Sequence, residues 1–405
     1  MAKGVLVVGQ SGGPTVAINS TLVGIIHEAL EHPQISAVYG AVNGIEGVLS
    51  EDFIDLGRES PQTLEGLRHT PAAALGTVRH KVKEEEYDRI LEVFRAHNVR
   101  YFLYVGGNDS MDTAHQLHLL ADGVGYELHV VGVPKTVDND LVGTDHCPGY
   151  GSAARFVAIA LRDTGRDTEA MGRSSPVKIV EIMGRNAGWL TAASALARDE
   201  EGDSPHLIYL PERRLPKEKL IADVKREVDR RGYVVIAMSE GVEDENGLPL
   251  GEALVRSEVD AFGHRMKGGC SDGAEMLIRE ELGLKVRIDK PNYLQRSMMI
   301  AASSVDLDEA YRVGRAAVQA VVSGQSDVMV TLVRQPGPVY YCDTGLAPLA
   351  EIANKERRLP DEYIAPSGHD VTSAFVEWAR PLIGDPLPPY ARLARIPVAP
   401  RTKTK

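Results

Sequence analysis

The sequence predicts an α/β protein: two Rossmann-like, doubly wound domains with mainly parallel sheets and an active site in the cleft between them. Three observations carry that expectation. Short apolar runs alternate with segments of helical spacing along most of the 405 residues, the pattern of repeated βαβ units. Aromatic residues make up only 5% of the chain, so Val, Ala, Leu and Ile carry the core, which suits strands buried on both faces. Finally, many apolar runs end in polar loops, at the carboxyl ends where such sheets place their chemistry.

Residues 4–8 read as the first strand. Gly9-Gln10-Ser11-Gly12-Gly13-Pro14 follows, then a helix to about residue 30. Strand, glycine turn and helix aim backbone N–H groups at an anion, and Gly12 and Gly13 let it approach the main chain. The spacing is neither G-x-G-x-x-G nor a Walker A, so a plain tight turn is the alternative. Residues 35–42 form a second strand. The turn at 75–81 carries Arg79, His80 and Lys81; Arg79 is either a phosphate ligand or a solvated loop cation. A helix over 84–97 precedes a strand at 101–105. Gly106-Gly107-Asn108-Asp109-Ser110 then reads as a turn, with a helix over 111–121.

A strand at 128–133 ends at Pro134, which cannot donate to a ladder. The loop that follows, Lys135-Thr136-Val137-Asp138-Asn139-Asp140, is the centre of the reading. Lys135 can neutralise phosphate, Asp138 can take a proton from an alcohol, and Asp140 can orient a cation or a metal-bound water. The alternative for any one Asp here is ordinary turn chemistry.

The second half repeats the alternation: a helix at 149–164, strands at 177–182, 206–210, 233–238 and 285–288, and helices at 186–198, 216–231 and 271–282. A hinge-like stretch follows Val242. Strand ends offer Met183-Gly184-Arg185, Ser239-Glu240-Gly241 and Tyr293-Leu294-Gln295-Arg296, with Arg287 nearby. Arginine presents a planar fork suited to phosphate, and a carboxylate such as Glu240 suits sugar hydroxyls. A helix at 308–323 and a strand at 328–333 return to the first sheet. The expected domains are 1–150 with part of 302–405 for a phosphoryl donor, and 151–301 for a phosphorylated polyol. A Pro-rich tail, 385–405, is expected over the surface or partly disordered.

Net charge is −12, which argues against a general nucleic-acid or anionic-membrane surface. Cys147, Cys270 and Cys342 are widely spaced, indicating neither disulfides nor zinc, and suit a reducing, cytoplasmic setting. No signal-peptide pattern or membrane-length apolar run is seen. His115 and His118 read as helix-surface residues.

With these residues in hand, the chain resembles the phosphofructokinase family. The motifs run in the family's order: Ser11-Gly12-Gly13, Leu75 to Arg79, Gly106 to Ser110, Pro134 to Asp140, Met183-Gly184-Arg185, Ser239-Glu240-Gly241 and Tyr293 to Arg296. The resemblance implies phosphoryl transfer to the 1-hydroxyl of fructose 6-phosphate, with Asp138 as base and Thr136, Asp140 and Lys135 assisting. Gly12, Gly13, Arg79, Gly107, Asn108, Asp109 and Lys135 would bind the donor. Met183, Gly184, Arg185, Glu240, Tyr293 and Arg296 would hold the sugar phosphate. Mg²⁺ is the implied cofactor, at Asp109; Asn108, a neutral amide, is the weaker candidate ligand, which leaves more of the role to Asp109 or the diphosphate oxygens. Arg287 matches an arginine supplied across a subunit boundary, implying a homodimer or homotetramer with shared sites.

Asp109 and Lys135 stand where ATP-using members carry glycines. By resemblance they point to pyrophosphate as donor, with an ATP-dependent enzyme or a silent sugar-phosphate-binding subunit as alternatives. A dinucleotide oxidoreductase lacks its fingerprint here. Two departures stand out: the family's metal-binding Asp is Asn108, and a second cross-subunit arginine falls at Pro176, with Arg173 as a gapped substitute. Allosteric-site residues have no match, so weak regulation by nucleotides is expected.

Overall fold

The computed structural model describes residues 3–250, 269–399 and 401. Much of the hinge-like stretch after Val242 and the end of the basic tail lie outside the described residues.

The first part of the chain runs β1 (Gly4–Gln10), α1 (Ile18–Leu30), β2 (Ile35–Ala41), α2 (Ile45–Ser50), β3 (Phe53–Asp55), α3 (Pro61–Leu67), α4 (Glu84–Ala96), β4 (Val99–Gly106), α5 (Asn108–Gly123) and β5 (His129–Pro134). The second runs α6 (Tyr150–Met171), β6 (Val177–Ile182), α7 (Trp189–Ala192), β7 (Leu207–Tyr209), α8 (Lys217–Arg231), β8 (Val234–Ser239), α9 (Cys270–Leu282) and β9 (Val286–Asp289). The chain then returns through α10 (Leu294–Ser297), α11 (Ser304–Val322), β10 (Val328–Arg334), β11 (Cys342–Pro348), α12 (Leu349–Ile352) and α13 (Ser373–Ala379).

Two sheets result. The seven-stranded sheet has the order β11-β10-β5-β4-β1-β2-β3, and the four-stranded sheet β7-β8-β6-β9. The pairs within the second sheet are parallel. In the first, only the edge strands β3 and β11 run antiparallel. The α/β fold with mainly parallel sheets is therefore as the sequence predicts. Strand order reverses between β1 and β4, which opens a crevice at their carboxyl ends.

Local chemistry explains the elements that frame that crevice. β1 is buried along its whole length, as a central parallel strand should be. In α4, Ile90, Leu91, Val93 and Phe94 are buried, Glu84–Glu86 lie in the first turn and Arg95 in the last, so charge opposes the helix dipole at both ends. α1 and α11 cross backbone to backbone: a Cβ on Gly24 would strike the Tyr311 carbonyl, and one on Gly314 the Thr21 carbonyl. A larger side chain at either glycine would pry these two helices apart.

Several expectations are corrected. Asn108 and Asp109 open α5 rather than ending a turn; Gly107 is the N-cap. α6 continues to Met171, because its buried stripe extends to Thr168. The helix expected over 186–198 is one α-turn followed by a 3₁₀ segment at Ala193–Ala197, and Asn186 caps neither. Trp189 to Ala197 are all buried, so packing on every side, not an amphipathic stripe, sets the winding. His115 bonds Asp327 at 2.7 Å and His118 bonds Ser326 at 3.0 Å; both tie α5 to the turn before β10 instead of facing solvent. From residue 385 onward the described tail has no regular structure; it lies over the surface, as one of the two expectations had it, with Arg392 paired to Asp203 and Arg395 to Glu169 of α6. All three cysteines are free and buried. No helix among the described residues is long and apolar enough to cross a membrane.

Candidate active site

The crevice collects the loops that the sequence nominates. β1 delivers Gly12 and Gly13, β4 delivers Gly107, Asn108 and Asp109, and β5 delivers Lys135, Thr136, Asp138 and Asp140; all line one cleft. Arg79 joins them from the turn before α4. That turn is tied to the glycine loop, with the Thr77 hydroxyl donating to the Gly12 carbonyl at 2.6 Å and the Gly12 N–H donating to Val78 O at 3.1 Å. His80 and Lys81 line the cleft too.

The glycines also leave room for neighbouring side chains. Gly12 sits at φ +73°, a conformation costly for other residues. A Cβ there would lie 3.1 Å from Lys135 Nζ, and one on Gly13 would collide with the Arg296 guanidinium. The space a side chain would fill is occupied by two cations. Lys135 is 3% exposed, and its Nζ donates to the Gly13 carbonyl at 2.9 Å. Burial pushes its pKa down to about 8, with Arg296 and Arg79 adding repulsion and Asp138 and Asp140 opposing them.

The two aspartates are raised. Burial dominates for Asp138, followed by repulsion from Glu240, with Lys135 partly compensating. Asp140 is pushed up to about 6 by burial and then by Asp138. The Asp138 N–H donates to the Thr136 hydroxyl at 3.1 Å, so Thr136 shapes the turn that presents the carboxylate. Between the aspartates, Asn139 is fully buried at φ +56° and its Oδ1 accepts the Cys147 N–H at 2.9 Å. Glu356 adds repulsion to both aspartates; nothing in its local sequence nominates it.

Beyond the cleft, the candidate sugar side is assembled from the second sheet. The Met183 N–H donates to Gln295 Oε1 at 3.1 Å, and the Ser239 hydroxyl donates to the Gly184 carbonyl at 2.7 Å. A Cβ on Gly241 would strike the Arg185 carbonyl, so the loops carrying Arg185 and Glu240 interlock. The Arg296 guanidinium lies over the Tyr293 ring, 4.2 Å from its centre, while Tyr293 is itself 65% exposed. Arg287 is exposed on the edge strand β9 and is not among the residues lining the cleft. Arg173 lies beside Gly232 at the amino end of β6, the opposite end of the sheet from these loops.

Asn108 Oδ1 is buried with no hydrogen-bond partner, and Asp109 opens into the same cleft. One amide oxygen and one carboxylate fit a hard divalent cation whose other ligands are water and phosphate oxygens. Among the described residues, a tighter cluster of potential ligands is Asp145, His146 and Cys342. It is already satisfied: His146 bonds Asp145 and Glu309 through its two ring nitrogens, and Arg334 takes Asp145.

The profile of one family, phosphofructokinase, matches residues 5–321. The chain belongs to the phosphofructokinase family. Over 97% of its length it is 43% identical to the pyrophosphate–fructose 6-phosphate 1-phosphotransferase of Rhodospirillum rubrum, covering 97% of that protein. A sulfofructose kinase of Alkalicoccus urumqiensis is 35% identical, with 95% of this chain and 96% of that protein covered. Among solved structures, a pyrophosphate-dependent phosphofructokinase from Nitrosospira multiformis superposes with a TM-score of 0.87 at 38% identity, over 96% of this chain and 94% of that one. The crevice at the β1–β4 reversal is thus the place in a phosphofructokinase fold where the glycine turn, Asp109, Lys135 and the two aspartates converge.

Proposed function

We propose that this phosphofructokinase uses pyrophosphate: it transfers a phosphoryl group reversibly from diphosphate to the 1-hydroxyl of fructose 6-phosphate, giving fructose 1,6-bisphosphate and phosphate. The observation that carries this reading is the pair Asp109 and Lys135 in one cleft, a carboxylate at the helix start and a buried ammonium against the glycine turn. A nucleotide's α-phosphate would meet the carboxylate; a compact diphosphate fits short of it and gains the ammonium.

Asp138 takes the proton as the hydroxyl oxygen attacks the terminal phosphorus and the bond to the leaving phosphate breaks. A carboxylate raised by burial is a better base than an exposed one. Phosphoryl transfer otherwise needs positioning and charge neutralisation, which Lys135, Arg79 and the N–H groups opening α5 provide. Mg²⁺ held by Asp109 and Asn108 would supply countercharge to the diphosphate. Met183, Gly184, Arg185, Glu240, Tyr293 and Arg296 surround the sugar phosphate. Arg287, exposed on β9 and not among the residues lining its own cleft, would serve a neighbour in a homodimer or homotetramer. The enzyme would work in the cytoplasm on small phosphorylated sugars, without nucleic-acid or membrane partners.

The deciding experiment offers purified protein fructose 6-phosphate with each donor and Mg²⁺. Pyrophosphate is expected to support turnover and ATP is not; the reverse preference overturns the reading. A pH profile tests the charges. Falling pH protonates Asp140 and rising pH discharges Lys135, so kcat/KM for pyrophosphate should fall below about pH 6 and above about pH 8, once the ionisation of phosphate itself near about pH 6 is corrected for. Lys135→Arg keeps its charge through the alkaline range, so its upper limb should move upward. An unmoved limb assigns it to another group.

A further inference from the structure

We infer that Arg357 is a positioning residue for this reaction, setting the geometry of Asp138 and Asp140 from a segment far away in the sequence. The inference rests on the functional reading above. The half-buried guanidinium makes three carbonyls its acceptors. Nε and Nη2 donate to Asn139 O at 3.3 and 3.0 Å, and Nη1 donates to Thr144 O at 2.5 Å and Asp145 O at 2.8 Å. The Arg357 backbone N–H adds a bond to Asp140 O at 2.7 Å. These side-chain hydrogen bonds therefore all go to one loop, and the acceptors are all main chain.

The place it grips matters. Asn139 separates the two aspartates and holds a left-handed backbone, a conformation that persists only where the surroundings offset its strain. Two clasps enforce it: Asn139 Oδ1 on the Cys147 N–H, and Arg357 on the Asn139 carbonyl. If that peptide turned over, Asp138 and Asp140 would swing to new directions together. Charge-assisted bonds to several carbonyls hold a peptide more firmly than one neutral bond.

Arg357 is itself held from the other half of the molecule. Its guanidinium stacks on the Trp189 ring at 4.5 Å, and the Trp189 indole N–H donates to the Arg357 carbonyl at 3.0 Å. Trp189 begins α7, directly after the Met183–Gly188 loop of the second sheet. Residue 357 thus fastens the loop bearing the proposed base to the element that follows the sugar-side loop, so the two substrates' loops share one anchor. Lysine cannot reproduce this, because a single ammonium lacks the planar fork.

The test uses the full chain with Arg357→Lys and Arg357→Gln, alongside the unchanged protein and thermal melts. A displacement of about 1 Å at a reacting group costs on the order of 100-fold. Both folded variants should lose about 30–100-fold in kcat while KM for either substrate moves less than about threefold. Free guanidinium at low millimolar concentration should restore part of the kcat of Arg357→Gln. If a folded variant keeps kcat within about twofold, or loses KM alone, the inference fails. Should neither variant fold, Asn139→Gly decides: glycine tolerates the positive φ but frees one clasp, and kcat should fall at least about fivefold with KM held. An unchanged kcat there overturns the role of the clasped peptide. An unchanged protein inactive with pyrophosphate sinks the functional reading instead, and the variants are then compared with whichever donor works.

Discussion

Asp138→Asn is expected to lower kcat about 1,000-fold while leaving both KM values within about threefold. The amide has the carboxylate's shape, and the bond from residue 138 to the Thr136 hydroxyl uses a backbone donor, so the loop should persist. What goes is the ability to accept the hydroxyl proton. The substitution also removes a charge that its neighbours feel. Asp138 is the largest influence after burial holding the Asp140 carboxyl up and the largest one holding the Lys135 ammonium on. In the variant, the residual activity should therefore persist to lower pH on the acid side and decline earlier on the alkaline side. Phosphate release measured against pH checks both statements. Turnover equal to the unchanged protein would remove Asp138 from the mechanism.

The second large effect concerns the donor. Asp109→Gly with Lys135→Gly is expected to cost pyrophosphate about 100-fold in kcat/KM, roughly the 3 kcal/mol of one buried charge-assisted contact. It should also admit measurable ATP-dependent turnover. The structure makes the lysine the larger part of the loss. Its ammonium is buried, bonded to the Gly13 carbonyl and flanked by Arg296, so its removal leaves an empty, polar-lined space beside the glycine turn. Asp109 is exposed at the start of α5 and on the proposed reading would act on a nucleotide by repulsion and bulk. The single variants should separate these parts, Lys135→Gly losing pyrophosphate and Asp109→Gly gaining ATP. Initial rates with each donor under saturating fructose 6-phosphate are the measurement, and an unaltered donor preference in the double variant counts against the steric account.

Apart from the antiparallel edge strands β3 and β11, the strands of both sheets are legible because buried parallel strands are written as short, near-continuous apolar runs, and the candidate site is legible because its loops follow them directly. The start of α5 is hidden by Gly106-Gly107, which reads as a turn, although Asn108, Asp109 and Ser110 are residues that favour a helix start. β11 escapes because Cys342-Asp343-Thr344-Gly345 shows no alternation; it is an edge strand paired on one side only. The empty spaces at Gly12 and Gly13 are visible as glycines, but that Lys135 and Arg296 fill them is known only once three loops meet. Arg357 and Glu356 are invisible for a plainer reason. Lys355-Glu356-Arg357-Arg358 reads as a solvated charge run, and the carbonyls it grips lie more than 200 residues earlier.

The placement of β10 beside β5 bears on how the polypeptide matures. While the ribosome is still making the second sheet, β5 has a bare flank: the Val130 N–H finds its acceptor, Ser326 Oγ, only 196 residues later. Pairings that distant slow folding, and an uncovered flank invites sticking to other chains. A nascent phosphofructokinase of this kind waits for its last quarter before its first sheet can close.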